Sequence, residues 1–310
     1  AFRQEIRHFL RRELPPGWTG MEESLLDQAQ GWAFYKAFIR KLGARGWLNM
    51  HWPKEYGGMS ATPIQQLILI EELAYNRAPM QIDLAPWVGS TLILFGTDEQ
   101  KRRYLPGIAT GEAEWCIAYS EPGAGSDLAA VQTRAVEDGD DFVINGQKIF
   151  TSLAHLADYC WLAARTDPHA PKHKGISMFV MDMKTPGITV RPLLDMRGLH
   201  TFNEVFFDDV RIPKENLVGE KNRGWYLIAA ELDIERTSFG GGVNISARSK
   251  RILEELLEFA KETKIDGEPI ASNPLVRHKL AQRAIEIEVS RLLAYRLSWM
   301  LSRRIIPNYE

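Results

Sequence analysis

The stretch "AYSEPGAGSD" (residues 118–127) runs into "LAAVQTRAVEDGDDFVINGQKIFTS" (residues 128–152), and the order of these two segments decides the fold. A glycine-rich loop that cradles phosphate needs a helix to open behind it. A dinucleotide fingerprint, GxGxxG, also needs a third glycine. Here Gly123 and Gly125 are followed by Leu128 where that glycine would stand, and strand-like sequence comes next. A nicotinamide-binding Rossmann unit is therefore not expected. Taken alone, the loop also suits a tight turn between a helical and a β segment.

Outward from this loop the chain changes character twice. Residues 1–115 read as helical. Phe2, Ile6, Phe9 and Leu10 fall on one face, and "QGWAFYKAFIRKLGARGW" (30–47) repeats that period until Gly43 and Gly46. "HWPKEYGG" (51–58) is a loop. Thr62 before Pro63 reads as an N-cap, and Thr97 with Gln100 reads as a capping box. Pro86, inside "NRAPMQIDLAPWVGSTLIL" (76–94), removes a backbone donor and is expected to break or kink a helix there.

From Trp115 the segments shorten and become rich in β-branched and aromatic residues. They are "VQTRAVED" (131–138), "DFVING" (141–146), "YCWLAART" (159–166), "GISMFVMDM" (175–183), "ITVRPLL" (188–194) and "NEVFFDDVRI" (203–212). No helical segment separates them, so an antiparallel sandwich or barrel is expected rather than βαβ units. Past Val218 the chain is helical again. Ile252, Leu256 and Phe259 share a stripe flanked by Leu253, Leu257 and Ala260. Asn273 before Pro274 caps a long helix carrying Leu280, Ala284, Ile287, Ala294 and Leu297. Two such helices rarely stand alone, so the chain is expected to stop inside a bundle. The expected fold is α+β and multidomain: an N-terminal helical domain (1–115), a central antiparallel β-barrel or sandwich (116–218) and the start of a C-terminal helical bundle (219–310).

Composition narrows the function. With 310 residues, 45% hydrophobic and 25% charged, the chain can bury a large core, and its net charge of −2 gives no reason to expect nucleic acid as a partner. No apolar run approaches the roughly 20 residues that span a bilayer. The two cysteines, Cys116 and Cys160, form no CxxC and suit buried thiols in a reducing compartment. The expected location is the cytoplasm, or the mitochondrial matrix if the source is eukaryotic. Seven histidines show no HExxH or paired-ligand spacing, and no GxSxG is present, so neither a metal site nor a serine hydrolase is expected. His155 reads as structural.

The loop does not stand alone. "AYSEPGAGSD", "NGQKIFTSLAHLADY" (145–159), "FFDDVRIPKENLVGE" (206–220) and "ELDIER" (231–236) occur in an order that resembles the acyl-CoA dehydrogenase family, as do "WPKEYGG" (52–58) and "GTDEQKRRYLPGIATGE" (96–112). The resemblance runs over essentially the whole chain. It implies a helical, β-barrel, helical-bundle fold and the oxidation of acyl-CoA thioesters to 2,3-enoyl-CoA, with FAD taking the hydride. It further implies transfer of electrons to an electron-transfer flavoprotein and assembly as a homotetramer, or as a heterotetramer with a homologue. An acyl-CoA oxidase and a non-catalytic flavin- or CoA-binding partner subunit remain as alternatives.

Residue by residue, Ile117 to Ser126 match the flavin-contacting run. Ser120 matches a hydroxyl near the pyrimidine edge, Gly125 belongs to the glycine pair of that run, and Ser126 matches a serine near the flavin phosphates and the CoA. Tyr119 stands where many members carry a smaller residue. Phe150 matches the aromatic beside the ring, and Thr151 and Ser152 complete that contact, Ser152 near flavin N5. Asp233 and Arg236 match residues near the CoA ligand. Glu235, just before Arg236, matches the catalytic base of a minority branch; most members place that base later. The reaction needs a carboxylate for the α-proton and donors for the charge that develops on the thioester oxygen. One departure is "ETKIDGEPIASNPLVR" (262–277), which replaces an arginine-bearing stretch that in the family reaches a neighbouring subunit's FAD; Arg277 is a candidate substitute.

Overall fold

The computed structural model of the chain describes residues 1–20, 28–79, 84–238 and 242–305, with backbone only at 235–238. Two compact units are resolved. One combines 1–21, 60–80 and 236–310; the other combines 22–59 and 81–235.

The first unit is helical. It holds α1 (Phe2–Glu13), α3 (Pro63–Tyr75), α7 (Val243–Glu262) and α8 (Pro274–Ser302). Leu67 and Ile70 pack against Val243 and Ala294 in its core. On α1, Ile6, Phe9 and Leu10 are buried as the period requires. Beside them Glu72, almost fully buried, accepts hydrogen bonds from Arg3 and Arg7, and Glu71 accepts from Arg291 and Tyr295. Asn273 caps α8 by accepting from the Leu275 N–H. Of the two adjacent apolar stripes of α7, one faces inward and the other outward. Ile252, Leu256 and Phe259 are exposed, whereas Leu253 and Ala260 are buried. The helix is apolar on two sides, and periodicity cannot say which one α3 and α8 cover.

The second unit carries a mixed sheet with helices α2 (Ala29–Gly43), α4 (Ala85–Phe95), α5 (Asp98–Thr110) and all but the last turn of α6 (Gly224–Ser238). The capping box of Thr97 and Gln100 starts α5. Pro86 does not kink a helix. It lies in the first turn of α4, where an N–H has no acceptor within the helix, so its missing donor costs nothing.

The strands are β1 (Trp115–Ala118), β2 (Arg134–Asp138), β3 (Asp141–Ser152), β4 (Tyr159–Arg165), β5 (Ile176–Asp182), β6 (Ile188–Leu193), β7 (Phe202–Pro213) and β8 (Leu217–Val218), in the order β6-β7-β3-β2-β4-β5-β8. The β2–β3, β3–β7, β6–β7, β4–β5 and β5–β8 ladders are antiparallel. β1 adds a parallel pairing to β4, which the 40-residue excursion between Ala118 and Tyr159 permits.

Burial on both faces explains the near-continuous apolar runs of β4 and β5. Trp161, Ala163, Met178 and Val180 face a core shared with α4, α5 and α6. Cys160, Leu162, Phe179 and Met181 face a second core shared with Phe142, Ile144, Val205 and Phe207 of β3 and β7. Cys116 and Cys160 are free, buried and paired in register. Among the described residues, no helix is long and apolar enough to cross a membrane.

Candidate active site

β1 delivers the 118–127 loop to the side of β3. The Ile149 N–H donates to the Ser120 carbonyl at 2.9 Å, so the two stretches singled out in the sequence meet. The turn closes on itself, with Glu121 and Ala124 exchanging backbone hydrogen bonds of 2.9 and 3.0 Å.

Below the turn lies a buried ion pair. Lys148 is fully buried and its Nζ donates to Glu121 Oε1 at 2.8 Å and to the Tyr119 carbonyl at 3.0 Å. The Glu121 carboxylate also accepts from the Gln132 and Thr133 N–H groups at 2.6 and 2.9 Å. Burial alone would raise the Glu121 pKa, but the Lys148 ammonium and these N–H donors hold it below the usual carboxylate range. The pair therefore carries a charge-assisted brace from β3 to the start of the loop and to residues 132–133 beyond it.

The upper surface of the loop is open. Gly123 and Gly125 have negative φ, and a Cβ built on either meets nothing within 4 Å. Neither the local backbone nor internal packing requires glycine there. What glycine provides is bare backbone on the solvent side, which suits a flat ligand lying close.

Beside this surface β3 carries a bulge between Lys148 and Thr151. Phe150 sits in it at φ 57°, 59% exposed, its ring edge-on to Phe202 at 6.2 Å. Left-handed backbone is strained for an aromatic residue, and bulges re-aim side chains next to sites. Holding a large apolar ring in solvent at a strained position is a feature that packing does not explain.

Ser152 is half-buried and Ile117, Tyr119 and Ser120 are likewise partly covered, while Gly125 and Ser126 are exposed. Thr151 is 1% exposed, and its carbonyl accepts from Asn203 Nδ2 at 3.1 Å. The same amide reaches His155 Nδ1 at 3.1 Å, and Asn203 Oδ1 lies 2.7 Å from His200 Nε2, with the two imidazoles stacked 3.8 Å apart. His155 thus belongs to the scaffold behind the bulge.

On α6, Asp233 is exposed, two residues from the buried Glu231 and so on the far side of the helix from it. Glu235 and Arg236 lie in α6, but their side chains fall outside the described residues. The described residues contain no cluster of His, Cys, Asp or Glu placed to hold a metal.

Two groups escaped the sequence reading. Lys148 shares strand parity with the buried Phe142 and Ile144, and a charge on the inward parity of a strand demands a partner; that was the available signal. The contact of Glu231 with Tyr119 and Trp161 had no local signal, since the three come from separate elements.

Three family models match the chain in series: "Acyl-CoA dehydrogenase, N-terminal domain" over residues 1–112, "Acyl-CoA dehydrogenase, middle domain" over 116–210 and "Acyl-CoA dehydrogenase, C-terminal domain" over 222–308. Acyl-CoA dehydrogenase FadE29 of Mycobacterium tuberculosis is 43% identical over 236 residues, which are 76% of this chain and 60% of that protein. Acyl-CoA dehydrogenase FadE26 of the same organism is 39% identical over 303 residues, 95% of this chain and 74% of that protein. A solved structure named "Tcur3481-Tcur3483 steroid ACAD" shares 38% identity at a TM-score of 0.86, over 98% of this chain and 76% of that one. The chain thus spans between 60% and 76% of the length of these three.

Proposed function

The chain belongs to the acyl-CoA dehydrogenase family, and from that premise we infer that it carries out FAD-dependent α,β-dehydrogenation of an acyl-CoA thioester to the 2,3-enoyl-CoA. The observation that carries this reading is the junction of the 118–127 loop with the β3 bulge. Open backbone at Gly123 and Gly125 lies in a loop tied by Ser120 to the residue before an exposed, strained Phe150.

FAD, when bound, supplies the hydride acceptor for the β-carbon. The loop from Ile117 through Tyr119 and Ser120 to Gly125 and Ser126 offers backbone and hydroxyl groups to it. Phe150 would pack beside it and Ser152 would present a hydroxyl. Thr151, itself buried, sets the backbone between those two. Ser126, Asp233 and Arg236 hold the CoA thioester, and Glu235 takes the α-proton onto its carboxylate.

Titrating FAD into apoprotein tests this directly. Gly125→Ala is expected to leave the apoprotein melting temperature within about 2 °C, since the added methyl meets nothing inside the protein. FAD affinity should fall by about tenfold, because the same methyl stands between backbone and ligand. Equal FAD affinity in parent and variant would remove the loop from the site, and no uptake by either would overturn the FAD-dependent reading.

The acyl group is proposed to be bulky and polycyclic. Support comes from the steroid ACAD likeness and from Trp87, a large apolar side chain half-buried in the first turn of α4. Electrons are proposed to pass to an electron-transfer flavoprotein; peroxide formed in step with turnover in air would identify an oxidase instead.

The helical unit leaves Leu275, Val289 and Leu292 of α8 exposed, along with Phe259 of α7. Such surface suits assembly as a homotetramer, or as a heterotetramer with a homologue. Light scattering at micromolar concentration should report a tetramer, and a monomer contradicts it.

A further inference from the structure

Glu231 is 2% exposed, and nothing in the proposed reaction uses it. Its Oε2 accepts from Trp161 Nε1 at 2.7 Å and from the Tyr119 hydroxyl, while the same indole N–H lies 3.0 Å from that hydroxyl. Three side chains from three elements converge: Tyr119 from the loop after β1, Trp161 from β4 and Glu231 from α6. Around them is apolar core, including Ala163, Leu227 and Ile228. A carboxylate in such surroundings stays charged only if donors meet it, so the position of Tyr119 is strongly specified.

Tyr119 is held at its other end as well. Its carbonyl accepts from Lys148 Nζ at 3.0 Å, and the next carbonyl, of Ser120, accepts from Ile149. The loop is therefore anchored to β3 through its backbone and to α6 through a side chain. Residues 233–236 follow Glu231 within the same helix.

We infer that Tyr119, Glu231 and Trp161 form a positioning triad that clamps the 118–127 loop to α6 and so sets where the loop's ligand-facing residues lie relative to the helix segment bearing Asp233 and Glu235. The clamp stands on the contacts above; its catalytic consequence rests on the FAD-dependent reading. Tyr119→Phe and Glu231→Gln each keep the shape and remove one part of the network, and the double variant removes both.

Two measurements decide it. In FAD-free protein, amide hydrogen exchange in peptides covering 118–127 and 224–234 should quicken about tenfold in each single variant. In FAD-loaded protein, flavin bleaching at saturating acyl-CoA should slow by about tenfold, because small misplacements cost rate rather than affinity. Half-saturation should stay within about twofold of the parent. The double variant should be no worse than the worse single, as for residues acting as one unit.

Unchanged exchange in both peptides overturns the clamp. A lower melting temperature with parent exchange and parent bleaching rate also overturns it, leaving ordinary core packing. Single-variant effects that multiply in the double overturn the triad as a unit. Should the parent itself take up no FAD, the functional reading fails while the exchange result still decides the clamp.

Discussion

Replacing Glu235 by Gln is expected to slow bleaching of bound flavin by acyl-CoA by roughly 10²–10⁴-fold, the usual loss when a general base is removed. The amide keeps the volume and the helical preference of the carboxylate but cannot take up the α-proton. Acyl-CoA binding and FAD content should persist, so the loss falls on the chemical step and not on affinity. In the parent the bleaching rate should fall as pH drops through the pKa of the base, since only the carboxylate accepts a proton, and the variant should lack that limb. Anaerobic stopped-flow mixing reads both. A variant that bleaches at the parent rate places the base elsewhere.

The second large effect is on stability. Lys148→Met should destabilise the protein by about 3–5 kcal/mol, the cost of leaving a buried partner charge uncompensated. Glu121 would keep the Gln132 and Thr133 N–H donors and lose its cation. FAD retention should weaken with it, because Lys148 also holds the Tyr119 carbonyl. Glu121→Leu combined with Lys148→Met should recover a substantial part of the loss, as replacement of whole buried pairs does. The folded state depresses the Glu121 pKa, so the Glu121 side of the pair contributes fully above the ordinary carboxylate pKa and is lost as pH falls through the lower folded-state value, while burial lowers the Lys148 pKa and so limits the pair from the alkaline side. Denaturant titrations of the two variants measure the cycle. A loss below about 1 kcal/mol for Lys148→Met would mean the pair is no more than a surface-like contact.

Much of this architecture was legible because it is written in local periods and caps. Ile6, Phe9 and Leu10 on one helical face, the Thr97–Gln100 box and the strands bounded by glycine turns all follow from nearest-neighbour geometry. What was not legible depended on partners distant in sequence. Pro86 was expected to interrupt a helix, yet the same missing donor is harmless in a first turn, and only the chain's path decides which case applies. The outer and inner stripes of α7 could not be told apart, since Ile252 and Leu253 are equally apolar and only α3 and α8 select between them. The parallel β1–β4 pairing needed a register between residues 44 positions apart, such as Cys116 and Cys160. Resemblance singled out the two segments of the candidate site, but their junction through Ser120 and Ile149 and the strained backbone of Phe150 are properties of the folded chain.

The most direct test of the central claim is anaerobic mixing of the FAD-loaded protein with a steroid-derived acyl-CoA, followed by visible absorbance and product mass. The predicted result is loss of the oxidised-flavin spectrum together with one 2,3-enoyl-CoA, two hydrogens lighter than the substrate, for each flavin bleached. A spectrum that stays oxidised across a panel of polycyclic, branched and straight-chain acyl-CoA thioesters would contradict it.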